Sequence, residues 1–155
     1  MTGVQTCALP IWGGVPIGAC LATDSVAKAF SPGSHASTFG GNPLACAAGL
    51  AVCRALLEGG VLDHARRMGE YFAKGLSDCQ ARHRVVREVR GLGLLRGMDL
   101  DMDAKAVVSE CLVRGVLINA TGEHVLRFVP SLIITEADID RLLDTLAQIF
   151  SAQTA

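Results

Sequence analysis

The chain has 155 residues, 50% of them hydrophobic and 19% charged, with a formal net charge of −1. That length and composition allow one sizeable core, and the near-neutral balance gives no electrostatic case for nucleic acid or an anionic membrane. The longest apolar run, Pro43 to Cys53, stops at Arg54 and is too short to span a bilayer.

Met1 to Ile11 has no amphipathic period, no basic start and no long apolar core, so it does not read as a signal peptide. It is similar to the in-frame translation of a sequencing-library adapter. Residues 1–12, with Trp12 at the junction, are therefore expected to be an artefact and are set aside from fold reasoning. Val15 to Thr23 is apolar on both faces, which predicts a buried strand of a parallel sheet. Ser31-Pro32-Gly33-Ser34 predicts a turn. Pro43 to Leu57 is apolar almost all round, which predicts a helix buried on most sides, and Gly59-Gly60 would close it as a left-handed cap.

Beyond that break, Leu62, Ala65, Met68, Phe72, Leu76 and Cys79 recur every three or four residues and predict an amphipathic helix. Its outer face carries Arg66, Arg67, Glu70 and Lys74. Val85 to Leu100 reads as strand, glycine-containing bend and strand. A helix bearing Ala104, Val107, Val108, Cys111 and Leu112 follows and ends at Gly115. Val116 to Ala120 and Val125 to Val129 predict a hairpin around Thr121-Gly122-Glu123-His124. Thr135 and Asp138 resemble a capping box before a last helix that buries Ile139, Leu142, Leu143, Leu146, Ile149 and Phe150. Apart from Cys7 in the leading segment, five cysteines remain, with no C-x-x-C spacing. They predict buried free thiols in a reducing cytosol rather than a zinc or redox site. Asp99, Asp101 and Asp103 lack the spacing of a calcium loop and read as a strand-to-helix turn.

The most informative stretch is His35-Ala36-Ser37-Thr38-Phe39-Gly40-Gly41-Asn42-Pro43-Leu44-Ala45. Two hydroxyls and a Gly-Gly precede an Asn N-cap and a Pro suited to the first helical position. Free N–H groups at such a start can seat an anion, although a plain helix cap accounts for the same residues. The whole string resembles the corresponding segment of the class III, ornithine-type aminotransferases, enzymes that use pyridoxal phosphate (PLP), with Ala36 in place of the usual Gly. Gly13-Gly14-Val15-Pro16-Ile17-Gly18-Ala19 and Arg90-Gly91-Leu92-Gly93-Leu94 are similar to two further family segments. Leu117-Ile118-Asn119 and Val125-Leu126-Arg127-Phe128-Val129-Pro130 are most similar to the acetylornithine branch.

The resemblance implies an α/β fold: the C-terminal part of a fold-type I PLP-dependent transferase. Residues 13–58 would be the end of the PLP-binding large domain and 59–155 the small C-terminal α+β domain. It implies a cytoplasmic homodimer that transfers an amino group between N-acetylornithine, or a similar ω-amino donor, and 2-oxoglutarate in arginine biosynthesis. Ornithine, succinylornithine or 4-aminobutyrate are alternative donors. The family's Schiff-base lysine falls six residues before Val15, where this chain has Leu9, and the only lysines are Lys28, Lys74 and Lys105. The chain as written is therefore expected to be a fragment truncated just past that lysine, and a non-catalytic one.

Among the residues present, the resemblance implies that Thr38 binds the cofactor phosphate across the dimer interface and that Ser37 lies beside the substrate. Arg127 shares a strand face with Val125 and Val129, an odd place for a charge unless it reaches a cleft or an anion. Its guanidinium can grip a carboxylate with two parallel hydrogen bonds, and the resemblance implies that role. Asn119 either lines the same region or makes local hairpin bonds. His35 reads as a solvent-facing loop residue, and Arg90 as a support of strand geometry.

Overall fold

The structure is a computed structural model that describes residues 4–12 and 14–152. The chain divides into two units, Met1–Gly59 and Gly60–Ala155.

In the first unit, β1 (Val4–Trp12) and β2 (Val15–Ala22) form a two-stranded antiparallel sheet, with Trp12 opposite Val15 and Val4 opposite Ala22. Gly14, at φ +86°, makes the turn between them. This corrects one expectation, because β2 pairs antiparallel, with the strand Val4–Trp12, rather than in a parallel sheet. An all-apolar strand signals burial but does not specify its partner. Nor is β2 covered along its length, since Leu21 is 64% exposed.

After α1 (Asp24–Ala27), the Ser31–Ser34 turn closes as predicted, with the Ser34 N–H and hydroxyl both donating to Ser31 O. α2 (Pro43–Glu58) then starts at Asn42, whose Oδ1 accepts from the Ala45 N–H at 3.0 Å. The expectation of a helix buried on most sides fails. Only Ala45 and Gly49 are buried, while Leu44 is 71% and Leu57 77% exposed. The apolar circumference is real, but the elements of this unit cover only one narrow strip of it. Gly59 ends the helix at φ −86°, and the left-handed residue is Gly60, at φ +70°.

The second unit is a four-stranded antiparallel sheet with three helices. α3 (Val61–Arg82) leads into β3 (Val86–Leu92) and β4 (Leu95–Leu100). α4 (Ala104–Val113), β5 (Asn119–Thr121), β6 (Val125–Phe128) and α5 (Glu136–Ala152) follow, and the sheet order is β3-β4-β6-β5. β5 is shorter than the apolar run suggested, because Val116 to Ile118 lie outside the ladder. Met68, Phe72, Leu76 and Cys79 of α3 meet Met98, Leu100, Leu126 and Phe128 of the sheet and Ile139, Leu146, Ile149 and Phe150 of α5 in one core. Phe72 and Phe128 meet edge to face at 5.5 Å. The period of three to four that marked α3 and α5 is thus the period of burial.

α3 lies close against the β3–β4 turn because Gly69 has no side chain; a Cβ there would come within 2.8 Å of Gly93 C. Arg96 fastens the contact, donating to Gly93 O at 2.8 Å, Gly91 O at 3.0 Å and Gly69 O at 3.1 Å. At the other end, Thr135 and Asp138 form the expected box. The Thr135 hydroxyl donates to Asp138 Oδ2 at 2.6 Å, and the Asp138 N–H returns to Thr135 Oγ1 at 3.3 Å. These bonds hold the Asp138 carboxyl below the usual carboxylate range. No single helix among the described residues is long and apolar enough to cross a membrane.

Candidate functional site

The candidate residues fall in both units, Ser37 and Thr38 in the first and Arg127 and Asn119 in the second. The loop before α2 is exposed from Ser31 to Gly41. Its geometry is a cap built from its own side chains. Ser37 Oγ accepts from the Gly40 N–H at 3.0 Å, and Asn42 Nδ2 donates to Phe39 O at 2.8 Å. Gly41, at φ +68°, takes the turn where an L side chain would be strained.

The helix start offers fewer free donors than expected. Pro43 has no N–H, the Ala45 N–H goes to Asn42 Oδ1 and the Cys46 N–H to Asn42 O. What the loop does present outward is the Thr38 hydroxyl, which has no partner among the described residues. An exposed hydroxyl of this kind can donate to an anion. The loop offers no amine: Lys28 caps α1, Lys74 pairs with Asp78 at 2.7 Å and Lys105 opens α4. Leu9 lies in β1 with its backbone opposite Ile17. His35 is exposed in the same loop.

In the second unit, β6 alternates as predicted. Leu126 and Phe128 turn into the core, and Arg127 turns outward. Three register pairs set one row across the sheet: Arg90 opposite Gly97, Gly97 opposite Arg127, and Arg127 opposite Asn119. Arg90 is occupied locally, donating to Glu88 at 2.6 Å. Arg127 has no acceptor among the described residues. Gly97, between the two arginines, leaves open floor. A Cβ there would meet Val125 Cγ1 at 3.7 Å and Arg90 Cγ at 3.8 Å, both ordinary contacts.

Arg127 and Asn119 line a cavity of about 660 Å³ whose other walls are largely apolar, including Leu117, Val129, Ile134 and Leu142. A free guanidinium at the edge of an apolar cavity suits a carboxylate attached to a carbon chain. This cavity was not legible in the sequence. The only signal was the charge inside an apolar strand at Arg127.

Other features of the sequence have structural accounts. Asp103 caps α4 by accepting from the Lys105 N–H at 2.9 Å, and Asp101 pairs with Arg87. Among the described residues, no group of three His, Cys, Asp or Glu side chains could hold a metal ion. Cys79 and Cys111 are buried, and burial pushes their thiols up, that of Cys111 to about 11. Cys46 departs from the expectation of burial and is exposed on α2.

The family model described as aminotransferase class-III matches residues 4–150, beginning inside the leading segment. The chain is 48% identical over 149 residues to the acetylornithine aminotransferase of Caldanaerobacter subterraneus subsp. tengcongensis, covering 96% of this chain and 38% of that one. To the acetylornithine aminotransferase of Methanothermobacter thermautotrophicus it is 42% identical over 148 residues, covering 96% and 38%. Among solved structures, the ornithine aminotransferase of Toxoplasma gondii matches with a TM-score of 0.88 and 31% identity, over 98% of this chain and 37% of that one. The acetylornithine aminotransferase of Elizabethkingia anophelis matches with a TM-score of 0.87 and 26% identity, over 97% and 41%. The chain thus spans about two-fifths of the length of these relatives.

Proposed function

We infer the function from a plain premise: the chain belongs to the class III aminotransferase family. Its residues serve a PLP-dependent transfer of an amino group between N-acetylornithine, or a similar ω-amino donor, and 2-oxoglutarate. The working form is a cytoplasmic homodimer. Residues 13–58 belong to the end of the PLP-binding large domain and 59–155 to the small domain.

Arg127 carries the reading on the substrate side, because its guanidinium lines the cavity with no internal acceptor. It grips the carboxylate through two parallel hydrogen bonds, which fixes orientation as well as affinity. Thr38 donates its free hydroxyl to the cofactor phosphate, reaching across the dimer interface into the neighbouring subunit's site. Ser37, already accepting from Gly40, keeps its own hydroxyl hydrogen for the substrate. When bound, PLP supplies the electron sink for the chemistry at the amino-bearing carbon. None of the chain's three lysines stands where the cofactor's aldehyde would be held, so this chain alone is not catalytic.

Two measurements test the reading. Mixed with PLP and reduced with borohydride, the chain should carry no stoichiometric label on one specific lysine; such a label would contradict the last point. Residues 15–155, exchanged for the matching segment of the Caldanaerobacter subterraneus enzyme, should give a chimera that turns over N-acetylornithine and 2-oxoglutarate. A folded, PLP-loaded chimera without that activity would refute the assignment.

A further inference from the structure

A second donor stands beside Arg127. β5 and β6 pair with Asn119 opposite Arg127, and both residues line the same cavity. Directly opposed residues of an antiparallel pair hold their Cβ atoms about 4.5–5.5 Å apart on one face. The Asn119 amide is already oriented, because its Oδ1 accepts from the Ala120 N–H at 2.8 Å. That bond fixes which end of the amide is oxygen. It leaves Nδ2 with two hydrogens and no acceptor among the described residues. Asp138, which also lines the cavity, commits its Oδ2 to the hydroxyl and N–H of Thr135.

Resting on the reading of Arg127 given above, we propose that Asn119 is a second recognition residue for the bound carboxylate, its Nδ2 amide donating to the oxygens that Arg127 grips. A carboxylate offers about four lone-pair sites, and a bidentate arginine takes two of them. An amide alongside fills a third without adding charge. The donor pair fixes the carboxylate against the β5–β6 edge of the cavity, and the apolar walls take the carbon chain attached to it. The ligand class is an aliphatic carboxylate.

The full 155-residue chain, titrated with 2-oxoglutarate and followed by the side-chain NMR signals of Arg127 and Asn119, tests this. Saturable shifts of both are expected. Asn119→Ala should weaken binding about five- to tenfold. Asn119→Asp keeps an acceptor for the Ala120 N–H but loses the donor and adds like charge, so it should weaken binding more than Asn119→Ala, with the unfolding midpoint unchanged. If Asn119→Asp instead restores the unsubstituted affinity, Asn119 acts only as a local cap and the proposal is wrong. Arg127→Ala separates the two claims. If it abolishes binding while both Asn119 variants stay within about twofold of the unsubstituted chain, the Asn119 role fails alone. If Arg127→Ala binds normally, or the unsubstituted chain gives no saturable shift, the reading of Arg127 fails with it.

Discussion

The two units use the same apolar stock to different ends. In the second, four strands and three helices close over Phe72, Leu76, Met98, Leu126, Ile139 and Leu146, all fully or almost fully buried. In the first, α2 is at least as apolar by sequence, yet only Ala45 and Gly49 of it are buried. Hydrophobicity alone does not make a core. An amphipathic helix already states which side is covered, whereas a helix apolar all round needs neighbours on several sides. The second unit contains its own covering layers, and the first does not.

Limited proteolysis is the bluntest way to break this contrast. Cleavage should come first in the exposed Ser31 to Gly41 loop, leaving a resistant piece from about residue 61 to 150. Equal protection of both regions would remove the distinction. Substitution sharpens it. Phe72→Ala should destabilise the second unit by about 3–5 kcal/mol, since it empties a site that is 1% exposed and sits against Phe128. Leu50→Ala on α2, at 53% exposure, should change the free energy of unfolding by no more than about 0.5 kcal/mol. Similar losses in chemical denaturation would mean that α2 is covered after all.

A division of labour between the units gives the next test, in the active chimera. Arg127→Ala should cost roughly 2–4 kcal/mol in kcat/KM for carboxylate substrates while PLP stays bound. Arg127→Lys should recover only part, because an ammonium lacks the matching fork. Thr38→Ala should reverse the pattern, loosening PLP first. If Arg127→Ala left kcat/KM for donor and 2-oxoglutarate within about twofold, roughly 0.4 kcal/mol, the carboxylate role would be lost.

The capping box of α5 supplies the smallest effect. The Thr135 hydroxyl and N–H lower the folded-state pKa of Asp138. Its contribution is therefore present above the unfolded carboxylate pKa and is lost as pH falls through the lower folded value. Asp138→Asn should lower stability slightly at neutral pH, where the ionised carboxyl contributes, and converge with the unsubstituted chain in acid, flattening that limb of the stability–pH curve. An unchanged acid limb would remove Asp138 from the account.

Much of the second unit was legible because its signals are local. The spacing from Met68 to Cys79 marked the buried face of α3, Thr135 and Asp138 marked the start of α5, and strand alternation grouped Arg127 with Val125 and Val129 on one face of β6. Pairing was not legible. Val15 to Ala22 reads the same in a parallel or an antiparallel sheet, and the hairpin through Gly14 decided it. At the α2 start the sequence named the right cap but overcounted free N–H groups, because Asn42 occupies two of them. Arg127 could be singled out by its apolar neighbours, but the cavity beside it arises from segments far apart in the chain, Phe72 to Leu142.

Gly97 has a consequence for how such a site can change over time. Its φ is not left-handed, and an added Cβ would meet only ordinary contacts. Alanine there should restrict the unfolded chain without straining the folded one, a net gain of about 0.4–1 kcal/mol. Longer side chains would rise between Arg90 and Arg127 from the middle of the row. The position is thus an open evolutionary route. The fold accepts the first step, an added Cβ, so the surface beside Arg127 can begin to change without first passing through an unstable protein.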